Sequence, residues 1–106
     1  MGRMGSTRYP EDRSPLRAEL VERYERFAAL REDFLVGYTY NTARAYWGDL
    51  EHLNDWCIER GMDVLALEEK DLKRYVLLLK RRGYSPNTLG RRRGTYSLFR
   101  RHLGLP

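Results

Sequence analysis

SPNTLGRRRGTYSLFRRHL, residues 85–103, is the stretch on which the interpretation of the whole chain depends. It begins with a helix-start signal, because Ser85 suits the N-cap, Pro86 the first helical position and Thr88 the third. At about 100° per residue, an apolar stripe then follows one side of the helix: Leu89, Tyr96, Phe99 and Leu103. The stretch is therefore predicted to be a helix with one packing face.

Five arginines and no acid lie in the same stretch: Arg91, Arg92, Arg93, Arg100 and Arg101. Opposite the apolar stripe fall Asn87, Arg91, Gly94 and Leu98. Arg92 and Arg93 flank the stripe, where their alkyl stems would lie on the core while their guanidinium heads stay in water. We interpret Arg91, with Asn87 one turn before it, as the residue that faces a partner. A basic face that is merely solvated is the alternative.

Charge is divided unevenly along the chain. Residues 1–71 hold ten Arg and Lys against fifteen Asp and Glu, whereas residues 72–106 hold ten basic residues and no acid. Such a segregated positive field attracts phosphate. An anionic membrane surface would also attract the basic part of the chain, but that part lacks the broad Trp, Phe and Leu face of an interfacial helix. Nucleic acid is therefore the favoured partner, and no membrane contact is expected.

The totals fit one folded domain of 106 residues, 42% of them hydrophobic. Cys57 has no second cysteine to pair with, and His52 and His102 show no zinc-ligand spacing, so Cys57 is interpreted as a core residue. No apolar run reaches the roughly eighteen residues of a membrane span, and the N-terminus lacks a signal-peptide core. We expect a cytoplasmic, nucleoid-associated location.

Sequence motifs for common catalytic chemistry are missing. The chain contains no GxxxxGK[ST], GxGxxG, HExxH or GxSxG, and neither histidine has a carboxylate or nucleophile at a telling spacing. We therefore predict no catalytic residue, no cofactor and no metal site in this chain.

Periodicity predicts three further helices and no strand. Residues 1–13 have no period and are expected to be a disordered leader, whereas residues 14–106 form the folded domain. Apolar residues then recur every three or four positions, and Gly37, Gly61 and Gly83 end the segments. The predicted fold is an all-α, compact orthogonal bundle of four helices, at about 15–35, 40–60, 69–82 and 86–103.

The second and third predicted helices differ in character. On the second, the side away from the apolar stripe is small and polar: Asn41, Arg44, Ala45 and Gly48. A large body could approach the backbone closely there, although an exposed face with weak helix formers is the alternative. On the third, Leu77 and Leu78 make the helix apolar nearly all round, which predicts a place in the middle of the bundle.

Four short patterns follow one another from Thr39 onward. They are Thr39-x-x-Thr42-x-x-x-Tyr46-x-x-Asp49-Leu50, Leu53-x-x-Trp56-Cys57, Asp71-Leu72-x-x-Tyr75 and Gly83-x-Ser85-x-x-Thr88. In this order and spacing they resemble the core-binding, SAM-like N-terminal domain of tyrosine recombinases, the phage-integrase family with its Cre-like and Xer-like members. The resemblance covers about two thirds of the chain.

The resemblance implies a DNA-binding role. In the family, the helices that match 40–60 and 86–103 lie crosswise at the major groove, which points to seven residues here: Asn41, Arg44, Ala45, Gly48, Asn87, Thr88 and Arg91. Cre-type members carry an additional N-terminal helix that contacts neighbouring protomers, so helix 15–35 is expected to do the same. The family's catalytic domain would begin beyond Pro106, so this chain would position DNA without cutting it.

Our leading hypothesis is therefore a double-stranded DNA-binding domain of a site-specific recombinase, monomeric in isolation. Arg91 is the best candidate for a base contact, and Arg92, Arg93 and Lys80 are candidates for phosphate contacts. Two alternatives remain open: a basic helical module that binds an acidic protein partner, and a bundle that serves only as a scaffold.

Overall fold

The computed structural model describes residues 15–105, and it is all-α in that range. In chain order it contains α1 (Pro15–Leu35), α2 (Tyr40–Glu59), a one-turn 3-10 helix (Val64–Ala66), α3 (Glu69–Arg81) and α4 (Pro86–His102). The predicted fold class is confirmed, and each of the four helices ends within one residue of its predicted bounds. The leader expected at residues 1–13 lies outside the described residues.

Helix α4 occupies the middle of the bundle, because it packs against α1, α2 and α3. Phe99 is fully buried and meets Phe27 and Phe34 of α1, with ring centroids 5.9 and 5.4 Å away. Burying such a ring contributes about 2–3 kcal/mol. The apolar stripe predicted for α4 is therefore the side that forms the core; Tyr96 and Phe99 are buried and Leu89 and Leu103 are half-buried.

The prediction that the third helix lies in the middle of the bundle was wrong. Helix α3 packs against α4 and buries only a narrow stripe, Leu72, Tyr75 and Leu79. Leu77 is 47% exposed, and Leu78 is half-buried. Helix α4 is central instead, because three other helices contact it. Its buried surface is therefore wider than the apolar stripe in its sequence suggests. Leu98, expected to face outward, packs against the core for the same reason.

A buried arginine joins α1 to α2. Arg31 is only 3% exposed, and its Nη1 donates to Glu51 Oε1 of α2. The guanidinium also lies over aromatic rings, with its central carbon 4.4 Å from the ring centre of Trp47 and 5.0 Å from that of Phe27. The Tyr24 hydroxyl donates to the same carboxylate at 3.3 Å. This contact fixes α1 on the bundle by charge as well as by apolar packing.

The start of α4 is set by a glycine turn and a serine cap. Gly83 has a φ of 89°, a left-handed conformation that side-chain-bearing residues rarely adopt. Ser85 is the N-cap, and its Oγ accepts a hydrogen bond from the Thr88 N–H at 3.2 Å. Pro86 follows at the first helical position. These residues determine where the basic helix begins and therefore which side of it faces outward.

Candidate nucleic-acid interface

The outer side of α2 carries the small and polar residues expected there. Asn41, Arg44 and Gly48 are exposed, one helical turn apart, and Ala45 is half-buried. Arg44 has no carboxylate within salt-bridge distance among residues 15–105. Its charge is therefore available to an external partner.

Helix α4 presents a matching outer side. Asn87, Gly90, Arg91 and Gly94 are exposed, and Thr88 is half-buried close to the cap. We refer to these four exposed residues, together with Asn41, Arg44 and Gly48 of α2, as the outer face. The residues that were singled out on both helices thus lie on the sides of α2 and α4 that the core leaves free.

Asp49 connects the two halves of the outer face. It is 3% exposed, although it directly follows the exposed Gly48, and its carboxylate accepts two hydrogen bonds from Arg91. Arg91 Nε donates to Oδ2 at 3.0 Å and Nη2 donates to Oδ1 at 2.7 Å. The buried Thr95 hydroxyl donates to Oδ2 at 2.8 Å. The hydrogen bonds between Arg91 and Asp49 raise the pKa of the Arg91 guanidinium above its ordinary value, so Arg91 stays charged.

Arg92 contradicts the expectation that its guanidinium stays in water. Its side chain is 14% exposed, and its Nε lies 3.8 Å from Asp49 Oδ1. Its Nη1 donates to the Tyr75 hydroxyl at 3.4 Å, and its guanidinium lies over the ring of Tyr84, 4.8 Å from the ring centre. Because it is held by a buried acid, a tyrosine hydroxyl and one ring, Arg92 offers much less charge to a ligand than its sequence position suggests. Its assignment as a phosphate contact stays a prediction.

Arg93 and Lys80, the other predicted phosphate contacts, are exposed to different degrees. The Arg93 side chain is 43% exposed and forms an ion pair with Glu69 of α3. Lys80 lies exposed in the last turn of α3, where a positive charge also stabilises the negative end of the helix dipole. Like Arg92, both remain predictions as DNA contacts.

A buried polar cluster supports Arg92 from below. The Tyr75 hydroxyl lies 2.6 Å from His52 Nδ1. Burial raises the pKa of Tyr75 to about 12, and burial, with the nearby charge of Arg92, lowers the pKa of His52. The phenol is therefore protonated near neutral pH, accepts a hydrogen bond from Arg92 and shares a second one with the imidazole.

Three residues that hold Arg91 or Arg92 in place were not among the predicted site residues: Asp49, Thr95 and Tyr75. A signal existed for Asp49, which lies three residues after Tyr46 and four before Leu53 of the apolar stripe. An acid at such a position is buried, and a buried acid requires a cation. A comparable signal existed for Thr95, which lies four residues before Phe99 of the α4 stripe.

Comparison with known proteins gives one clear match. The family described as phage integrase, N-terminal SAM-like domain, matches residues 34–103, about two thirds of the chain. The match begins in the last turn of α1 and includes α2, α3 and α4. No significant match was found among curated proteins or among solved structures. Within residues 15–105, no helix combines the length and apolarity needed to cross a bilayer.

Proposed function

Since the chain belongs to the phage-integrase family through its N-terminal SAM-like domain, we propose that it binds duplex DNA with its outer face on behalf of a site-specific tyrosine recombinase. In this role the domain contacts one side of the duplex, and strand cleavage is left to a catalytic domain of the same recombinase. The domain acts wherever that DNA lies, which we expect to be the cytoplasm and its nucleoid.

The observation that carries this proposal is the set of helical glycines on the outer face. An added Cβ at Gly48, Gly90 or Gly94 would meet no atom within 4 Å, so the packing of the domain requires none of them. Each lowers helix stability by about 1 kcal/mol relative to alanine. The three glycines lie near Arg44 and Arg91. Their cost in helix stability is explained if the DNA approaches the helix backbones closely at these positions.

The charge of the described surface supports a polyanionic partner. Several exposed basic residues have no carboxylate within salt-bridge distance among residues 15–105: Arg44, Lys73, Arg74, Lys80, Arg81, Arg82 and Arg101. By contrast, Arg91, Arg92 and Arg93 are each close to an acid. These uncompensated residues, of which Arg44 lies on the outer face, would contribute more than the triple arginine to the positive field that attracts phosphate.

Helix α1 is proposed to contact neighbouring recombinase protomers on the DNA. Its side away from the core is exposed and mixed in charge, with Glu22, Glu25 and Arg26, and it includes Val21, which is 44% exposed. A face of this composition is suited to a reversible protein contact and has too little positive charge for phosphate. Substituting Val21 by Glu would lower cooperative binding to DNA with adjacent sites and leave binding to a single site unchanged.

The experiment that tests DNA binding is fluorescence anisotropy of a labelled duplex at increasing salt. A domain that neutralises phosphates loses affinity with a log-log slope of about −0.9 per phosphate contacted, so four contacts give a slope near −3.6. A flat response between about 50 and 200 mM salt would refute the proposal.

A pair of glycine variants tests whether the outer face is the contact surface. Gly48→Ala should raise the melting temperature by about 4–8 °C, since it adds about 1 kcal/mol of helix stability, and should weaken duplex binding about tenfold. Gly37→Ala is the control for the binding measurement, because Gly37 is exposed, has equally open space for a Cβ and lies off the outer face, in the turn after α1. If Gly48→Ala stabilises the fold and binds DNA like the unmodified chain, the contact surface lies elsewhere.

A further inference from the structure

The pairing of Arg91 with Asp49 is unequal in exposure. The Arg91 side chain is 48% exposed, whereas the Asp49 side chain is 2% exposed. The carboxylate is held from inside by the Thr95 hydroxyl, and Thr95 itself is 1% exposed. Asp49 is therefore a fixed group at the base of the outer face, and Arg91 extends from it toward solvent.

The hydrogen bonds leave a defined part of the guanidinium unused. A guanidinium has five N–H groups in one plane, and Asp49 engages the edge formed by Nε and Nη2. Within residues 15–105, Nη1 has no hydrogen-bond partner. The edge formed by Nη1 and the second Nη2 hydrogen thus remains open, and two parallel N–H donors are what the O6 and N7 atoms of guanine accept in the major groove.

Electrostatics opposes an exchange in which Arg91 leaves Asp49 for a phosphate. If Arg91 left, the buried carboxylate would keep only Thr95 and the more distant Arg92, and it would face an approaching polyanion. Removing one partner from a buried ion pair is strongly unfavourable. Arg91 is therefore expected to keep its inner edge on Asp49 while its outer edge meets the DNA.

We propose that Asp49 is a positioning residue for base recognition: it fixes the Arg91 guanidinium in one orientation, so that the outer edge of Arg91 reads a guanine. This inference rests on the proposed DNA-binding function and adds the residue that determines its selectivity. Fixing the side chain in advance reduces the loss of rotamer freedom on binding, which favours the correct base over others. Asp49 itself does not touch the DNA.

The test begins by identifying the base pair that Arg91 reads. The 106-residue chain is used to select duplexes from a pool with a randomised central segment at low salt, and the selection is repeated with Arg91→Ala. The base pair whose preference disappears in Arg91→Ala is taken as the Arg91 pair. The unmodified chain should prefer G·C there by roughly 5- to 150-fold.

The decisive variant is Asp49→Asn, which keeps the side-chain size and removes the charge. Its preference at the Arg91 pair should fall at least fivefold, whereas its affinity for a duplex without that pair should stay equal or rise. Preference at other base pairs should not change. The double variant Asp49→Asn with Arg91→Ala should lose no more preference than Arg91→Ala alone.

Glu51→Gln is the matched control, because Glu51 is also an acid of α2 that accepts from an arginine, yet it faces α1. It should lower stability and leave base preference intact. If Asp49→Asn does not fold, Arg91→Lys is the second test. Lysine keeps the positive charge but has no two donor edges with which to bind Asp49 and a guanine together, so the preference at the Arg91 pair should be lost.

Several results would overturn the inference. One is a folded Asp49→Asn that keeps the preference at the Arg91 pair, or that loses preference equally at every base pair. Another is an Arg91→Lys variant with unchanged preference. Steeply salt-dependent binding without any base preference would overturn this inference and leave the proposed function standing, whereas no duplex binding at low salt would overturn the proposed function itself.

Discussion

Removing Glu51 should destabilise the domain much more than removing its partner Arg31. In Glu51→Ala, the Arg31 guanidinium would remain 4% exposed among aromatic rings with no carboxylate to balance its charge. Its Nε is already buried without a hydrogen-bond partner. An uncompensated buried charge costs about 3 kcal/mol or more, which corresponds to a fall in melting temperature of roughly 12–24 °C.

Arg31→Met should be tolerated far better. Methionine fills a similar space among the rings, and Glu51, with its side chain 26% exposed, still reaches water and the Tyr24 hydroxyl. The loss is then the contact between the cation and the rings, about 1 kcal/mol, or roughly 4–8 °C in melting temperature.

Thermal unfolding followed by far-UV circular dichroism measures both variants, together with the double variant Arg31→Met with Glu51→Ala. The double variant should be more stable than Glu51→Ala alone, because the uncompensated charge is gone. If Arg31→Met were as destabilising as Glu51→Ala, or if Glu51→Ala cost less than about 1 kcal/mol, the reasoning from burial would be refuted.

Three further predictions concern Cys57, the two buried tyrosines Tyr75 and Tyr96, and the Ser85 cap. Burial raises the pKa of the Cys57 thiol to about 12, so Cys57 should resist thiol reagents at about pH 8 in the folded chain and react once denaturant unfolds it; fast reaction without denaturant would contradict the burial. Burial likewise raises the pKa values of Tyr75 and Tyr96 to about 12, above their ordinary value of 10. Their stabilising contribution is complete below pH 10 and is lost as pH rises toward 12, so denaturant melts should show stability falling in that window; constant stability there would contradict the burial of the two rings. Ser85→Ala should lower stability by about 1 kcal/mol through loss of the cap, whereas Ser97→Ala, at an exposed position within α4, should not; equal effects would argue against the cap.

The order and length of the helices followed from local signals that need no tertiary information. Ser85 and Pro86 start α4, the apolar residues recur at helical spacing, and Gly61 and Gly83 have the positive φ that ends a helix. The arrangement of the helices was less accessible. Leu77 was expected to be buried and is exposed, whereas Leu98 was expected to be exposed and packs against the core. A helical wheel shows the direction of an apolar stripe and does not show how many neighbours surround the helix.

Two largely buried arginines show what the sequence analysis left out. Arg31 lies four residues after Phe27 and three before Phe34, so periodicity indicates the buried side, although arginine is generally exposed and no role was predicted for it. Arg92 was expected to keep its guanidinium in water, yet its side chain is only 14% exposed. In contrast, the exposure of Asn41 and Arg44 could be predicted from the apolar stripe of α2 alone, because that stripe places the core on the opposite side of the helix.

The aromatic contacts of α1 bear on where the domain can be cut. The family match starts at Phe34, yet Phe99 is fully buried with Phe27 against it, and Arg31 covers Trp47 and pairs with Glu51. A fragment trimmed to residues 34–103 would expose the centre of the core and leave Glu51 without its arginine. A piece that keeps this core closed therefore includes α1 at least from Phe27 onward.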